Sequence, residues 1–200
     1  MNVTAEIAVA AARLVVEEGL EYAAAKRKAA GELQRRGSAR AELPANEAVE
    51  DQVREHLALF HADDQPGELR ALRELARQWM RRLADFRPHL AGAVWRGTAT
   101  RRSAVLLDLY CDDPKAAEIA LLDAGVRYDT ETQSRSLGEP VQLLVVQAPS
   151  RELGAHVPVV LALHDHDDQR GALRPDARGR SWRGDLAALE RLLADGEVAG

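Results

Sequence analysis

The feature that most constrains the fold is an acid inside a hydrophobic run. The segment Val105–Tyr110 reads VLLDLY, so Asp108 stands among aliphatic residues. A short apolar run of this kind predicts a buried strand. Burying a carboxylate in such a strand is costly unless it is paired, for example with a metal ion or an arginine. Asp108 therefore predicts either a ligand site or the point where the strand meets solvent or an arginine.

The neighbouring residues predict a definite order of elements around this strand. Residues 91–96 form a shorter apolar run that ends in Gly97 and Thr98. Beyond the strand, Asp113 and Pro114 suit the N-cap and the first position of a helix. The predicted order is strand, small-residue turn, strand with a carboxylate, and helix.

This order resembles the nucleotidyltransferase superfamily, of the kanamycin and minimal nucleotidyltransferase type. Its signature is a Gly-Ser or Gly-Thr turn, followed on the next strand by Asp, a hydrophobic residue, and Asp or Glu. Here Gly97 and Thr98 fill the turn, and Asp108, Leu109 and Tyr110 fill the strand motif. Tyr110 stands where the second acid is expected.

The resemblance implies an α+β fold in which N-terminal helices pack on a small mixed β-sheet. It implies Mg²⁺-dependent transfer of a nucleoside monophosphate from an NTP to an acceptor hydroxyl or protein side chain. Gly97 and Thr98 would contact the nucleotide phosphates. Asp108 would be the catalytic metal ligand, and Asp112 or Asp165 would complete the metal site.

Two expected acids are nevertheless missing, which keeps a second interpretation open. Besides Tyr110, the run 157–163, VPVVLAL, lacks the carboxylate that a third metal ligand would require. The alternative is a catalytically inactive nucleotide-binding or protein-interaction module. An active site predicts a second carboxylate beside Asp108, near Gly97 and Thr98. An inactive module predicts that Asp108 is isolated or paired with an arginine.

Length and periodicity predict two regions. The 200 residues, 46% of them hydrophobic, suffice for one domain with a helical extension. Residues 1–87 show helical spacing of apolar side chains, with Thr4 and Asn46 as candidate N-caps. Residues 88–200 form the α+β region. Its predicted strands are 91–96, 105–111, 126–128, 141–147 and 157–163, the last two as an antiparallel pair.

Composition argues against several classes of function. The net charge of −5 disfavours a surface that coats nucleic acid. The first two predicted helices resemble the start of TetR-type DNA-binding domains, which leaves a DNA-binding regulator as a third interpretation. However, residues 35–43 offer no recognition helix. Arginine greatly outnumbers lysine and alanine is abundant, which suggests a GC-rich bacterial genome.

The location and the thiol chemistry follow from two further features. No long apolar span is present and the N-terminal segment is acidic rather than signal-like, so we expect a cytoplasmic protein without membrane contact. Cys111 is the only cysteine, which excludes an internal disulfide and a multi-cysteine zinc site. Asp112 and Asp113 beside it should raise its pKa.

One more cluster of candidate ligands follows the last long strand. Residues 164–168 read HDHDD, and alternate residues at a strand end project to the same side. His164 and His166 could therefore share a metal ion. The competing interpretation is a solvated turn.

Overall fold

The protein is described by a computed structural model that covers residues 2–37, 41–133, 140–169, 175–176 and 178–198. It contains two compact units. One comprises the described residues up to Leu69 together with Gly97–Ser103. The other comprises Arg70–Arg96 and the described residues from Ala104 onwards. Whether 1–87 and 88–200 behave as separate regions stays a prediction.

The first unit is helical. It contains α1 (Val3–Glu18), α2 (Tyr22–Arg35), α3 (Asn46–Phe60) and the first residues of α4 (Gln65–Arg82). Helix α1 packs against both α2 and α3. None of the helices described in either unit has the length and apolarity needed to cross a membrane.

The predicted N-caps of α1 and α3 were wrong by one or two positions. Asn2 rather than Thr4 caps α1, because its side chain accepts a hydrogen bond from the Thr4 amide at 3.1 Å. Asn46 is the first residue of α3, and its side chain accepts a hydrogen bond from Lys26 Nζ at 2.7 Å instead.

Alanine and valine make up most of the buried residues of α1, α2 and α3. Helix α1 ends at Gly19, whose φ is +70°. A Cβ built there would lie 2.1 Å from the Arg102 carbonyl oxygen. Glycine at this position therefore serves both the backbone conformation and the close approach of the segment Gly97–Ser103.

The second unit contains a mixed sheet, which confirms the predicted α+β class. Its strands are β1 (His89–Ala91), β2 (Val105–Tyr110), β3 (Asp129–Gln133), β4 (Val141–Ser150), β5 (Ala155–His164) and β6 (Arg183–Gly184). The order across the sheet is β3-β4-β5-β2-β1-β6. Strands β2 and β5 are parallel, and the other neighbouring pairs are antiparallel.

Besides the part of α4 from Arg70 onwards, three helices and a 3-10 turn accompany this sheet in the described residues. They are the turn Ala84–Phe86, α5 (Gly92–Arg96), α6 (Pro114–Asp123) and α7 (Leu186–Val198). Helix α6 begins as predicted, because Asp113 accepts a hydrogen bond from the Lys115 amide at 2.9 Å and Pro114 follows it.

Two strand predictions were wrong. Residues 92–96 form helix α5, and only His89–Ala91 before it is extended. The predicted strand 126–128 precedes the real one, Asp129–Gln133. That strand reads DTETQ and every residue in it is exposed, so it carried no apolar pattern to detect. The antiparallel pairing of 141–147 with 157–163 is confirmed.

The two faces of the sheet differ in composition. One face carries the fully buried Leu107, Leu109 and Leu161. Side chains alternate across a strand, so Asp108 and Tyr110 lie on the opposite face. Leu106, Val160 and Val145 on that face are only half-buried. The polar side chains therefore gather on the less covered face.

Candidate functional site

Asp108 lies at the centre of the sheet, on its less covered face. The register of β1 and β2 places His89 opposite Asp108, and that of β2 and β5 places His164 opposite Tyr110. On β6, Arg183 pairs with Ala91, two residues from His89 on the same strand. Since cross-strand partners share a face, the register alone brings these side chains together.

Both oxygens of the Asp108 carboxylate are engaged within this unit. His164 Nε2 lies 2.9 Å from Oδ1, and Arg183 Nε lies 2.8 Å from Oδ2. A carboxylate only accepts hydrogen bonds, so His164 Nε2 carries the hydrogen. The side chains of Asp108, His164 and Arg183 are 6%, 12% and 25% exposed. Asp108 thus takes part in a hydrogen bond through Oδ1 and in an ion-pair contact through Oδ2.

Tyr110 extends the network with aromatic contacts. Its ring lies 5.4 Å from that of His164 in a stacked arrangement, and 5.4 Å from that of His89 edge-on. His89 Nδ1 lies 2.9 Å from the Arg87 carbonyl oxygen. We call these five side chains, His89, Asp108, Tyr110, His164 and Arg183, the Asp108 cluster. Where the second acid was expected, the chain has a ring packed between two imidazoles.

Gly97 and Thr98 belong to the helical unit, where they are held by its own side chains. Gly97 has a φ of +77°, and its carbonyl oxygen accepts a hydrogen bond from Gln65 Nε2 at 3.3 Å. Thr98 is 1% exposed. Its hydroxyl lies 2.9 Å from the Tyr22 hydroxyl. Burial, partly offset by this hydrogen bond, raises the pKa of Tyr22 to about 12.

A pocket of about 450 Å³ lies at the carboxyl ends of the parallel strands β2 and β5. The Cys111 amide donates to the His164 carbonyl oxygen at 3.1 Å, which holds the two strand ends together. Asp112 and Asp165 both line this pocket. We call it the carboxyl-end pocket. In open sheets with parallel strands, this end is where ligands bind.

The carboxylates of the carboxyl-end pocket act on the thiol beside them. Burial raises the pKa of Cys111, and the negative charges of Asp113, Asp112 and Asp165 raise it further. The sequence had predicted this direction from the neighbouring aspartates.

These residues do not fit a magnesium site as they stand. Both Asp108 oxygens already contact donor groups, and the Arg183 guanidinium beside Oδ2 repels a divalent cation, which in turn demands near-ideal octahedral geometry. Across the described ranges, no three His, Cys, Asp or Glu side chains are grouped closely enough to hold a metal ion. That holds for the described residues His164 to Asp168 as well. Asp165 Oδ1 instead accepts the Asp167 amide at 2.9 Å.

A second arginine pair, which the sequence did not reveal, fixes the segment before β6. Arg96 Nη2 lies 2.9 Å from Asp176 Oδ2, and the two side chains are 3% and 0% exposed. Burial opposes ionisation of Asp176, but hydrogen bonds from the Arg180 amide and the Arg96 guanidinium outweigh it, so its pKa is lowered.

Arg96 also holds the residues that lead into β6. Its Nη1 donates to the Ser181 carbonyl oxygen at 3.0 Å, and its guanidinium lies 4.2 Å from the centre of the Trp182 ring. Arg183 comes next in the chain. The Arg96 contacts therefore position the arginine that pairs with Asp108.

Comparison with known proteins gives structural matches only. No protein-family model matches the chain, and no curated protein matches it. Among solved structures it is similar to the Cid1 poly(U) polymerase with MgGTP bound, at 12% identity and a TM-score of 0.36, over 57% of this chain and 38% of that chain. It is also similar to Cid1 in complex with the UTP analogue UMPNPP, at 12% identity and a TM-score of 0.34, over 57% of this chain and 36% of that chain. A mutant of the same polymerase bound to MgATP matches at 15% identity and a TM-score of 0.35.

Proposed function

We propose that this chain is a divergent nucleotidyltransferase-like protein that works as a binding module and does not transfer nucleotides through Asp108. The observation that carries the proposal is the engagement of both Asp108 oxygens, by His164 Nε2 and Arg183 Nε. A metal ion could bind to Asp108 only if at least one of these contacts rearranged, because both carboxylate oxygens already face donor groups.

The energetics disfavour that exchange. Removing Arg183 from a largely buried carboxylate leaves charge without a partner, which costs a few kcal/mol, roughly 3–5 for a fully buried pair. A metal ion would have to supply this free energy in addition to its own dehydration. Tyr110, packed between two imidazoles, offers no second carboxylate to help.

The turn of the resembled motif supports the same proposal. The hydroxyl of Thr98 is buried and contacts Tyr22, and the carbonyl of Gly97 contacts Gln65. A phosphate-binding turn presents its donors to solvent or ligand. These contacts favour a structural role for the turn inside the helical unit.

The carboxyl-end pocket is the surface we assign to binding. It is lined by Asp112, Asp165 and Asp168 together with His164. Carboxylates repel a free phosphate and attract donors, so we expect its ligand to present amino, hydroxyl or guanidinium groups.

Magnesium-dependent nucleotidyl transfer remains the second candidate, favoured by one observation. Asp108 lies on the less covered face of a mixed sheet, on the strand whose carboxyl end opens into the pocket that holds Asp112 and Asp165. Rearrangement of Arg183 would free the carboxylate in this candidate.

Pyrophosphate release separates the two candidates. The purified protein and its Asp108→Asn variant are each incubated with ATP, GTP, CTP or UTP and Mg²⁺, and titrated calorimetrically with the same nucleotides with and without Mg²⁺. We expect the native chain to release no more pyrophosphate than Asp108→Asn does. We also expect Asp108→Asn to bind the nucleotides as the native chain does, with and without Mg²⁺. Turnover present in the native chain and absent in Asp108→Asn would establish the second candidate.

A further inference from the structure

A second pocket lies toward the β3 end of the sheet, where it is lined by residues of β4 and by His156 of β5. Strand β4 pairs with β5 from Gln142 to Ser150, whereas β3 pairs only with Val141 to Val145, so the second half of β4, from Val146 on, has no β3 residue opposite it. Residues 126–128, which lead into β3, line a pocket of about 560 Å³ together with this second half of β4. We call it the edge pocket. Its volume is typical of sites for small organic molecules.

The floor of the edge pocket is apolar and aromatic. Trp79 of α4 and Tyr128 line it beside the aliphatic side chains of β4. The Tyr128 hydroxyl donates to Glu118 Oε2 at 3.0 Å, which fixes the position of the ring. A rigid floor of this kind suits a flat apolar group, since little side-chain entropy is lost on binding.

Cationic groups outnumber acids around this floor. Arg82 and Arg127 line the pocket beside His156, and Asp129 is the one carboxylate among its described lining residues. The Arg82 guanidinium lies 5.3 Å from the centre of the Trp79 ring and donates to the Ala124 carbonyl oxygen at 3.3 Å. Arg82 is thereby held at the pocket with donors to spare, because a guanidinium has five N–H groups.

We infer that the edge pocket binds a small organic anion with a flat apolar body and one acidic group. Arg82 and Arg127 would bind the acid, as guanidinium groups do with carboxylates, sulfonates and phosphates. Trp79 and Tyr128 would contact the flat body. The pocket is independent of the Asp108 cluster and of the function proposed for it.

The test uses the indole N–H signals of the three tryptophans in nitrogen–proton correlation spectra of the whole chain. Trp79→Phe assigns the signal of the pocket. Trp95, whose indole donates to the Ser181 carbonyl oxygen at 2.9 Å, is the internal control. Naphthalenesulfonate is the anionic probe and naphthalenemethanol its neutral counterpart. We expect the sulfonate to shift the Trp79 signal saturably and to leave that of Trp95 in place.

Charge variants test the role assigned to the arginines. Arg127→Glu should weaken binding of the sulfonate about tenfold or more, the usual cost of losing a hydrogen bond to a charged group. Arg191→Glu, an equal charge change on the exposed surface of α7, should leave it unchanged. The inference is overturned if the sulfonate does not shift Trp79, if the neutral probe binds equally well, or if both variants bind alike. AMP and naphthoate, added in separate titrations, tell a phosphate monoester from a carboxylate as the better ligand.

Discussion

Arg183 and Asp108 meet across β1 although they lie far apart in the sequence. Strand β1 pairs with β2 on one side and with β6 on the other, and the guanidinium Nε reaches the carboxylate at 2.8 Å. His164 contacts the other oxygen, so the Asp108 carboxylate has a partner on each of its two oxygens. Asp108 therefore contributes to stability as one member of a network, and its partners should matter as much as Asp108 itself.

Removing Arg183 should destabilise the chain. We expect Arg183→Ala to lower the free energy of unfolding by about 2–3 kcal/mol, less than for a fully buried pair because the arginine is one quarter exposed. Urea unfolding followed by circular dichroism measures it. Adding Asp108→Asn should recover part of the loss, since no charge is then left without a partner. An Arg183→Ala protein as stable as the native chain would show that the pair contributes nothing.

The Asp176 carboxyl should give the protein an acid-sensitive component of stability. Its pKa is lower in the folded chain than in the unfolded one, so the unfolded state binds the proton first. The stabilisation is present above the ordinary aspartate pKa, about 3.9, and is lost as the pH falls through the lowered value.

Thermal unfolding in a pH series measures this component. Asp176→Asn should be less stable at neutral pH, and its melting temperature should fall less steeply below about pH 4 than that of the native chain. Asp123→Asn, at an exposed position, is the control. Parallel pH profiles for the native chain and Asp176→Asn would contradict the assignment.

Tyr22 should titrate late and make the helical unit sensitive to alkali. Its pKa of about 12 exceeds the ordinary value of 10, so stability is complete below about pH 10 and is lost as the pH rises through the folded value. Ultraviolet difference absorbance of tyrosinate follows the titration. Tyr22→Phe should remove a tyrosinate component that titrates near pH 12 and should lower the free energy of unfolding by about 1 kcal/mol, because the contact with Thr98 is lost. The assignment fails if Tyr22→Phe leaves the titration curve unchanged.

Cys111 should react slowly with thiol reagents. Burial and three aspartates raise its pKa, so little thiolate is present at neutral pH. Reaction with a chromogenic disulfide reagent measures the rate. Asp112→Asn combined with Asp165→Asn should accelerate it only modestly, because burial is the larger cause. A rate in the native chain equal to that of a free thiol would refute the raised pKa.

The fold class was predictable because long apolar runs in the sequence indicate the central strands of the sheet. Strands β2, β4 and β5 have hydrophobic patterns that any sheet of this kind requires. Strand β3 escaped prediction because all five of its residues are exposed, and β6 because it has two residues. Both β3 and β6 are strands because they pair with a neighbouring strand, and a local sequence pattern does not show such pairing.

The site was predictable only as far as Asp108. A carboxylate in an apolar strand demands a partner, and an arginine is one that the sequence allows. The strand order β2-β1-β6 brings Arg183, and not another arginine, to Asp108. The parallel register of β2 and β5 brings His164 to the same carboxylate. Neither arrangement can be read from the sequence. His89 and Arg183 carried no signal of their own, since neither lies in a motif. The metal roles of Asp108, Asp112 and Asp165 and the phosphate roles of Gly97 and Thr98 stay predictions.

The most direct test of the central claim is whether Asp108 binds a divalent metal ion. Mn²⁺ substitutes for Mg²⁺ at oxygen ligands, and its paramagnetic relaxation of water protons reports binding to the protein. The titration compares the native chain with Asp108→Asn, in the presence and absence of ATP. The account predicts the same relaxation curve for both proteins, because His164 and Arg183 occupy the carboxylate. Enhanced relaxation that disappears in Asp108→Asn would contradict it and establish a metal site.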